Sequence, residues 1–295
     1  MQGHEDIRVG TIVFSEIAAS TIRQIAPHGF ESFQITFGHH IGDVDLQQTA
    51  REVREVLEAT DGRAKLSAIG LYGNPLTDEQ TRADWPRLIE AMSDFGCDVI
   101  GGFTGRLTDE SIDASLPRFK EVFSPIAKLA KDKGVRIAFE NCSMGGNWER
   151  GDWNIAHNPR AWERMFNEVP SDALGLEWEP CHQMVQLIDP LPQLRAWLPK
   201  VHHVHGKDAT IMWDVIKNEG IGGPTEFVYH RTPGFGDTNW SDLITTLRMG
   251  GYRGAIDIEG WHDPVYRDEL EMTGQVRALR YLQECRGGEF VPNPS

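Results

Sequence analysis

The feature that most limits the fold is an eightfold recurrence. Short β-rich runs appear as "RVGTIVF" from Arg8, "ESFQITF" from Glu31, "KLSAIGLY" from Lys65 and "DVIGGFT" from Asp98. They continue as "VRIAFEN" from Val135, "LGLEWEP" from Leu174, "VHHVHGK" from Val201 and "AIDIEGW" from Ala255. Helix-patterned segments separate them, so neighbouring strands pair in parallel, with each helix supplying the return path. Eight such units close into a (β/α)8 barrel. The competing open, doubly wound sheet usually carries a glycine-rich turn after its first strand, and "TIVFSEIAAS" has none. A barrel of this kind accommodates all 295 residues as one domain, and no linker divides the chain. Residues 1–6 and 287–295 read as loose ends.

Helix punctuation supports the pattern. In "TDEQTRADWPRLIEAMSDFG", Thr77 and Gln80 form a capping box and Gly96 supplies the stop. Leu116, Phe119, Val122, Phe123, Ile126 and Leu129 mark one face of a second helix, closed by Gly134. Residues 222–240, "GGPTEFVYHRTPGFGDTNW", hold too much Gly, Pro and Thr for a regular helix and read as a long loop at the barrel mouth.

Charge removes several function classes. With 29 Lys and Arg against 44 Asp and Glu, the formal charge is -15, which opposes binding to nucleic acid or an anionic lipid surface. No window approaches the roughly 18 apolar residues of a membrane span. Cys97, Cys142, Cys181 and Cys285 show no regular spacing, and the opening "MQGHEDIRVG" has no secretion pattern, so a reduced, cytoplasmic protein is expected.

In a barrel of this type chemistry gathers where strands end on the C-terminal face. The last four runs finish with Glu140, Glu179, His205 and Glu259. Three crowded carboxylates repel one another and take up protons unless a cation lies among them. Oxygen-rich ligation with one imidazole suits Mn2+ foremost, then Mg2+ or Co2+, with Zn2+ also compatible. Two residues earlier, one inward step deeper, lie Ala138, Glu177, His203 and Asp257. Glu177, His203 and Asp257 are candidates for a hydrogen-bonded layer that orients the ligands and fixes the His205 tautomer. Trp178 then points outward, toward the helices.

With "IAFEN", "LGLEWEPCH", "HHVHGKD", "PGFGDTNW", "GYRGAIDIEG" and "LYGNP", the chain resembles the xylose isomerase-like TIM barrels, a large sugar isomerase and epimerase family that includes ketose 3-epimerases. The resemblance places the metal ligands on Glu140, Glu179, His205 and Glu259. The family generally has Asp at the second place; the extra methylene of Glu179 moves its carboxylate by about 1.5 Å. The resemblance makes His182 a contact to substrate oxygens and sets Arg231 near the substrate loop. It also implies that Glu140 and Glu259 flank the substrate, one removing a proton beside a carbonyl and the other returning one on the opposite face. A carboxylate of ordinary pKa near 4.3 is too weak for this without a cation to stabilise the enediolate.

Other residues around the mouth have competing readings. Lys207 either polarises a substrate oxygen or forms a structural ion pair, and Trp261 directly follows Glu259. Trp148 and Trp153 stack on a sugar or pack in a loop; His39 and His40 read as solvated; Cys142 and Cys181 read as inert packing residues. The expected activity is metal-dependent isomerisation or epimerisation of a ketose or keto-sugar derivative by a protein that could pair with copies of itself. Alternatives are a lyase acting on 3-keto glycosides, an apurinic endonuclease, which needs a basic groove, and a non-catalytic sugar-binding barrel.

Overall fold

The computed structural model describes residues 4–294. Its barrel strands are β1 (Ile7–Phe14), β2 (Ser32–Thr36), β3 (Lys65–Leu71), β4 (Val99–Gly102), β5 (Arg136–Glu140), β6 (Leu174–Trp178), β7 (Val201–Gly206) and β10 (Gly254–Ile258). Each coincides with one of the eight runs. Their order, β1-β10-β7-β6-β5-β4-β3-β2, closes a barrel, as alternating strands and helices require. The helices are α1 (Ala18–Ile25), α2 (Leu46–Glu58), α3 (Glu79–Phe95), α4 (Ile112–Lys133), α5 (Pro159–Glu168), α6 (Cys181–Met184), α7 (Pro190–Trp197), α8 (Trp213–Glu219), α9 (Trp240–Met249) and α10 (Glu271–Cys285). No described helix is long and apolar enough to cross a membrane.

The chain forms two compact units. One comprises Ile12–Trp178 with Lys200–Val204. Its core shows how the strand pleat aims the site residues. On β5, Phe139 turns outward, its ring 5.0 Å from Phe123 and 6.0 Å from Phe119 of α4. Ala138 turns inward, where it packs with Ala68 and Val99, and Glu140, two residues on, shares its face. The helices here begin on polar side chains that accept orphan N–H groups. Asp78 caps α3 through the Gln80 and Thr81 amides, and Ser111 caps α4 through Ala114. The cap of α3 is therefore Asp78, not Thr77, because the carboxylate satisfies two donors where a hydroxyl would satisfy one. Gly96 and Gly134 end these helices in left-handed conformation, at φ 68° and 70°.

The other unit combines the residues up to Thr11 with Glu179–Pro199 and the chain from His205 onward. Here β1 pairs with β10, from Ile7 opposite Gly254 to Thr11 opposite Ile258. Trp240, Leu243, Ile244, Leu247, Ala278, Leu279 and Leu282 bury the facing stripes of α9 and α10. Residues 222–240 are not one long loop. β9 (Val228–Arg231) pairs antiparallel with β8 (Asp208–Ile211), an arrangement hidden in the sequence because each strand is only four residues long. Part of the segment expected to be loose is anchored: Asp6 pairs with Arg248 at 2.6 Å and His4 Nε2 lies 3.0 Å from the Gly288 carbonyl. Residues 1–3 and 295 lie outside the described residues.

One strand contact has a measurable pH consequence. The His202 ring lies against Gly175, where a Cβ would overlap it, and its Nδ1 is 3.1 Å from the Ile137 carbonyl. Burial, followed by the nearby Arg136 charge, lowers its pKa from 6.5 to about 4. A depressed imidazole stabilises the fold fully above the unfolded value and loses that contribution as pH falls from 6.5 through about 4. The shift corresponds to roughly 2–3 kcal/mol. In urea titrations between pH 7 and 4, His202→Gln is expected to flatten the acid loss of stability by about that amount. An unchanged pH slope would show that this imidazole does not sense acid.

Candidate active site

In the unit that holds the last barrel strand, the polar residues form a connected buried chain. Glu259 follows β10, with 7 % of its surface exposed. Its Oε1 accepts from Lys207 Nζ at 2.7 Å and lies 2.9 Å from His262 Nε2; Oε2 lies 3.3 Å from His205 Nδ1. Burial raises the carboxyl pKa, but Lys207 and the two imidazoles outweigh it and hold Glu259 well below the usual range. It is an ionised carboxylate throughout the physiological range. Lys207 Nζ is also 3.4 Å from His182 Nε2, and the same nitrogen lies 2.6 Å from Glu179 Oε1. His182 Nε2 thus lies between the Glu179 carboxylate and the Lys207 ammonium. Burial and then Lys207 pull His182 well below the ordinary imidazole range, so it is neutral. In the order Glu179, His182, Lys207, Glu259 and His205, every nitrogen-bearing side chain lies next to a carboxylate, which lets five buried polar side chains share a low-dielectric space.

The adjoining residues fix this chain in place. Asp208 is fully buried and accepts from the Ala209 and Thr238 amides and from Trp240 Nε1, at 2.8, 3.1 and 3.0 Å. It anchors the start of α9 and leaves Lys207, its neighbour, directed to Glu259. Arg231 is engaged elsewhere: its Nε donates to Asp263 Oδ2 at 3.0 Å, and that carboxylate also accepts from the Thr232, Val265 and Tyr266 amides. Burial raises the Asp263 pKa, and these four donors lower it overall. Trp261, immediately after Glu259, has φ 45°, a left-handed backbone that costs a non-glycine residue about 1–2 kcal/mol. Its ring lies 5.5 Å from His262, so this strain aims an aromatic face and an imidazole to the same side of the loop.

The other unit holds Glu140, Glu177 and His203. Glu140 ends β5, 7 % exposed, and its main-chain carbonyl accepts from Asn154 Nδ2 at 2.7 Å. Asn154 also accepts the Thr104 amide, tying the end of β5 to β4's exit. Glu177 is fully buried: Oε1 accepts from Gln34 Nε2 at 3.0 Å and Oε2 from the Tyr72 hydroxyl at 2.7 Å. Gln34 Oε1 lies 3.1 Å from His203 Nε2, so the amide joins carboxylate and imidazole. A Cβ at Gly101 would overlap the Glu177 carboxylate. Glu177 and His203 therefore share one hydrogen-bonded layer, while Asp257, fully buried, belongs to the other unit. Trp178 is fully buried on the strand face opposite Glu177.

Sequence reasoning missed Gln34, inside β2, Tyr72, which directly follows β3, and Arg106. Arg106, fully buried, donates to the carbonyls of Glu110, Asn147 and Trp148, which shapes the loop after Glu140. Within that loop Trp148 donates to Asp113, and the Trp153 ring lies 4.9 Å from His39. In "LYGNP" the Asn74 amide donates to Arg106 and Asp152 carbonyls, a loop-building role. Asn74 carries the one available signal, a short polar side chain after a strand, which also reads as an ordinary turn.

Removing one member of the buried Lys207–Glu259 pair leaves a charge without its partner, at a cost of about 3–5 kcal/mol. Lys207→Met is expected to lower the urea-derived stability at pH 7 by roughly 3 kcal/mol. The double variant Lys207→Met with Glu259→Gln is expected to regain at least half of that. Equal losses in the single and double variants would show that the pair is not coupled.

The model of the xylose isomerase-like TIM barrel matches residues 22–285. Inosose dehydratase from Clostridium tetani is 23% identical over 164 residues, covering 54% of this chain and 51% of that protein. The chain thus spans about half the length of this curated relative. The apo crystal structure of E. coli 3-keto-D-glucoside 4-epimerase, YcjR, superposes with a TM-score of 0.69 at 17% identity, covering 95% of this chain and 100% of that one. D-psicose 3-epimerase, solved in the presence of D-fructose, also gives 0.69 at 17% identity, with coverage of 95% and 100%. Likenesses of this degree establish the shared fold, and the family match extends over most of the barrel. The chain belongs to the xylose isomerase-like TIM barrel family.

Proposed function

We propose that this protein is a divalent-metal-dependent enzyme that isomerises or epimerises a ketose or keto-sugar derivative. The observation that carries the reading is Glu259, a buried carboxylate at the end of a barrel strand, kept ionised by Lys207 and bordered by His205 and His262. Such a group costs desolvation energy that a purely structural role would not require. In the proposal Glu140, Glu179, His205 and Glu259, which close four consecutive strands, hold one ion. The donor set fits: three carboxylates and an imidazole suit a hard or borderline divalent cation, with Mn2+ first and Mg2+, Co2+ or Zn2+ after it. When bound, the ion stabilises negative charge developing on a substrate carbonyl oxygen.

The protein side chains have distinct tasks. Glu259, with a depressed pKa, is a weak base, so its proton transfer depends on charge stabilisation at the carbonyl. Glu140 serves as the second carboxylate, returning a proton on the opposite face. His182 contacts a substrate oxygen, and Lys207 holds Glu259 ionised and can hydrogen-bond a hydroxyl. Trp261 borders the sugar. Arg231 reaches substrate only through its loop, since Asp263 holds its guanidinium. Glu177, His203 and Asp257 orient the ligands from beneath. The partner is a small sugar rather than nucleic acid, and a cytoplasmic setting suits the reduced cysteines.

A second reading is a lyase that expels a group β to the carbonyl. It is favoured by the likeness to inosose dehydratase and by the Lys207–His182 contact, which could protonate a departing oxygen. Metal analysis followed by an NMR screen of free and 3-keto sugars in deuterated water separates the two. Epimerisation incorporates deuterium at one carbon and keeps every heavy atom; elimination releases water or an alcohol. Glu259→Gln is expected to lower turnover by about 10²–10⁴-fold, the usual contribution of a positioned acid or base. Absence of both exchange and metal in the wild-type protein would sink the reading.

A further inference from the structure

Cys181, His182 and His230 form a donor cluster of a different chemical character. Each offers one ligand atom, and the three atoms lie within 4.8 Å of one another. Cys181 and His182 open the single turn of α6, whereas His230 comes from β9 of the ribbon. Cys181 is fully buried beside Met184, Ala209 and Val228, and the His182 and His230 rings meet edge to face at 5.4 Å. His230 Nδ1 is buried with no hydrogen-bond partner among the described residues. A buried ring nitrogen without a partner is costly, here among the His182 and His262 rings, and calls for a ligand.

We propose that Cys181, His182 and His230 bind a Zn2+ ion at a second site, chemically separate from the carboxylate-rich one. A thiolate with two imidazoles is a soft donor set that selects zinc over manganese or magnesium. Ideal tetrahedral coordination places such donors about 3.3–3.6 Å apart, so a cluster within 4.8 Å closes by at most roughly 1.5 Å when the ion binds. Three protein ligands leave a fourth position for water or a substrate oxygen. Binding deprotonates the Cys181 thiol and releases that proton to solvent.

The neighbouring carboxylate supports the assignment. Zinc-bound histidine usually donates its other ring N–H to a carboxylate, which fixes the tautomer and strengthens the donor nitrogen. His182 Nε2 lies 2.6 Å from Glu179 Oε1, which leaves Nδ1 as the nitrogen available to an ion. Occupancy would pin α6 to β9 and thereby set the position of Glu179. This inference does not rest on the proposed isomerase activity.

Cobalt substitution tests it, because a thiolate ligand gives a near-ultraviolet sulfur-to-cobalt charge-transfer band that a carboxylate site cannot give. Metal-free protein titrated with Co2+ is expected to show that band and to bind two equivalents. Cys181→Ser is expected to abolish the band and to lose one equivalent, with circular dichroism checking the fold. His230→Gln, which keeps the thiol, should weaken cobalt binding at this site at least tenfold. Glu259→Gln should retain the band. A wild-type protein that binds cobalt without the band would overturn the second site while leaving the carboxylate site intact. The band with a single bound equivalent would instead overturn the carboxylate site and leave this one standing.

Discussion

The pleat of a closed parallel sheet is the constraint on which the rest of this molecule depends. Because side chains alternate across each strand, one residue in two faces the barrel interior, and an aromatic or branched neighbour must take the helix side. Phe139 packed on Phe119 and Phe123 holds Glu140 inward. Trp178 likewise leaves Glu177 inward, and Val204 separates His203 from His205. The outward residues earn their place by apolar burial, which is worth about 1.5–3 kcal/mol for a large side chain. Polar groups that would never be buried on their own merits are thus carried inside by their neighbours.

Once inside, those groups survive by pairing. Glu259 needs Lys207; Glu177 needs Gln34 and Tyr72; Asp208 needs the Thr238 amide and the Trp240 indole. Asp208 shows how delicate the balance is: burial pushes its pKa up despite those donors, whereas the Lys207 ammonium is close enough to keep Glu259 far down. A full opposing charge at 2.7 Å outweighs several neutral donors.

Much of the architecture was legible because period and punctuation agree. All eight strand runs and the glycine stops at Gly96 and Gly134 have local causes, so a sequence reader sees them. The ribbon of β8 and β9 does not, since four residues carry too little alternation to distinguish a strand from a loop. Arg231 illustrates a second limit: its place beside a substrate-loop motif was visible, but its bond to Asp263, 32 residues later, was not. The second layer was half visible. Glu177 and His203 follow from stepping back two residues, but Gln34 between them sits on the second strand, in a run whose other residues are unremarkable. Cys181 read as small and inert because its spacing to His230 is 49 positions, a separation no local motif would flag.

Glu179 brings these threads together. Where the family resemblance gives Asp, this chain has a longer carboxylate, and the structure sets its Oε1 against His182, one turn ahead. A shorter side chain in the same place would withdraw by about 1.5 Å and turn that contact into a gap. His182, neutral and buried, would then lose that carboxylate contact. The substitution and the histidine therefore form a matched pair. Lengthening the acid moves its charge from the strand end toward α6, the turn that carries Cys181 and His182. The departure from the family pattern thus changes which neighbours the carboxylate orients, while keeping it ionisable and buried.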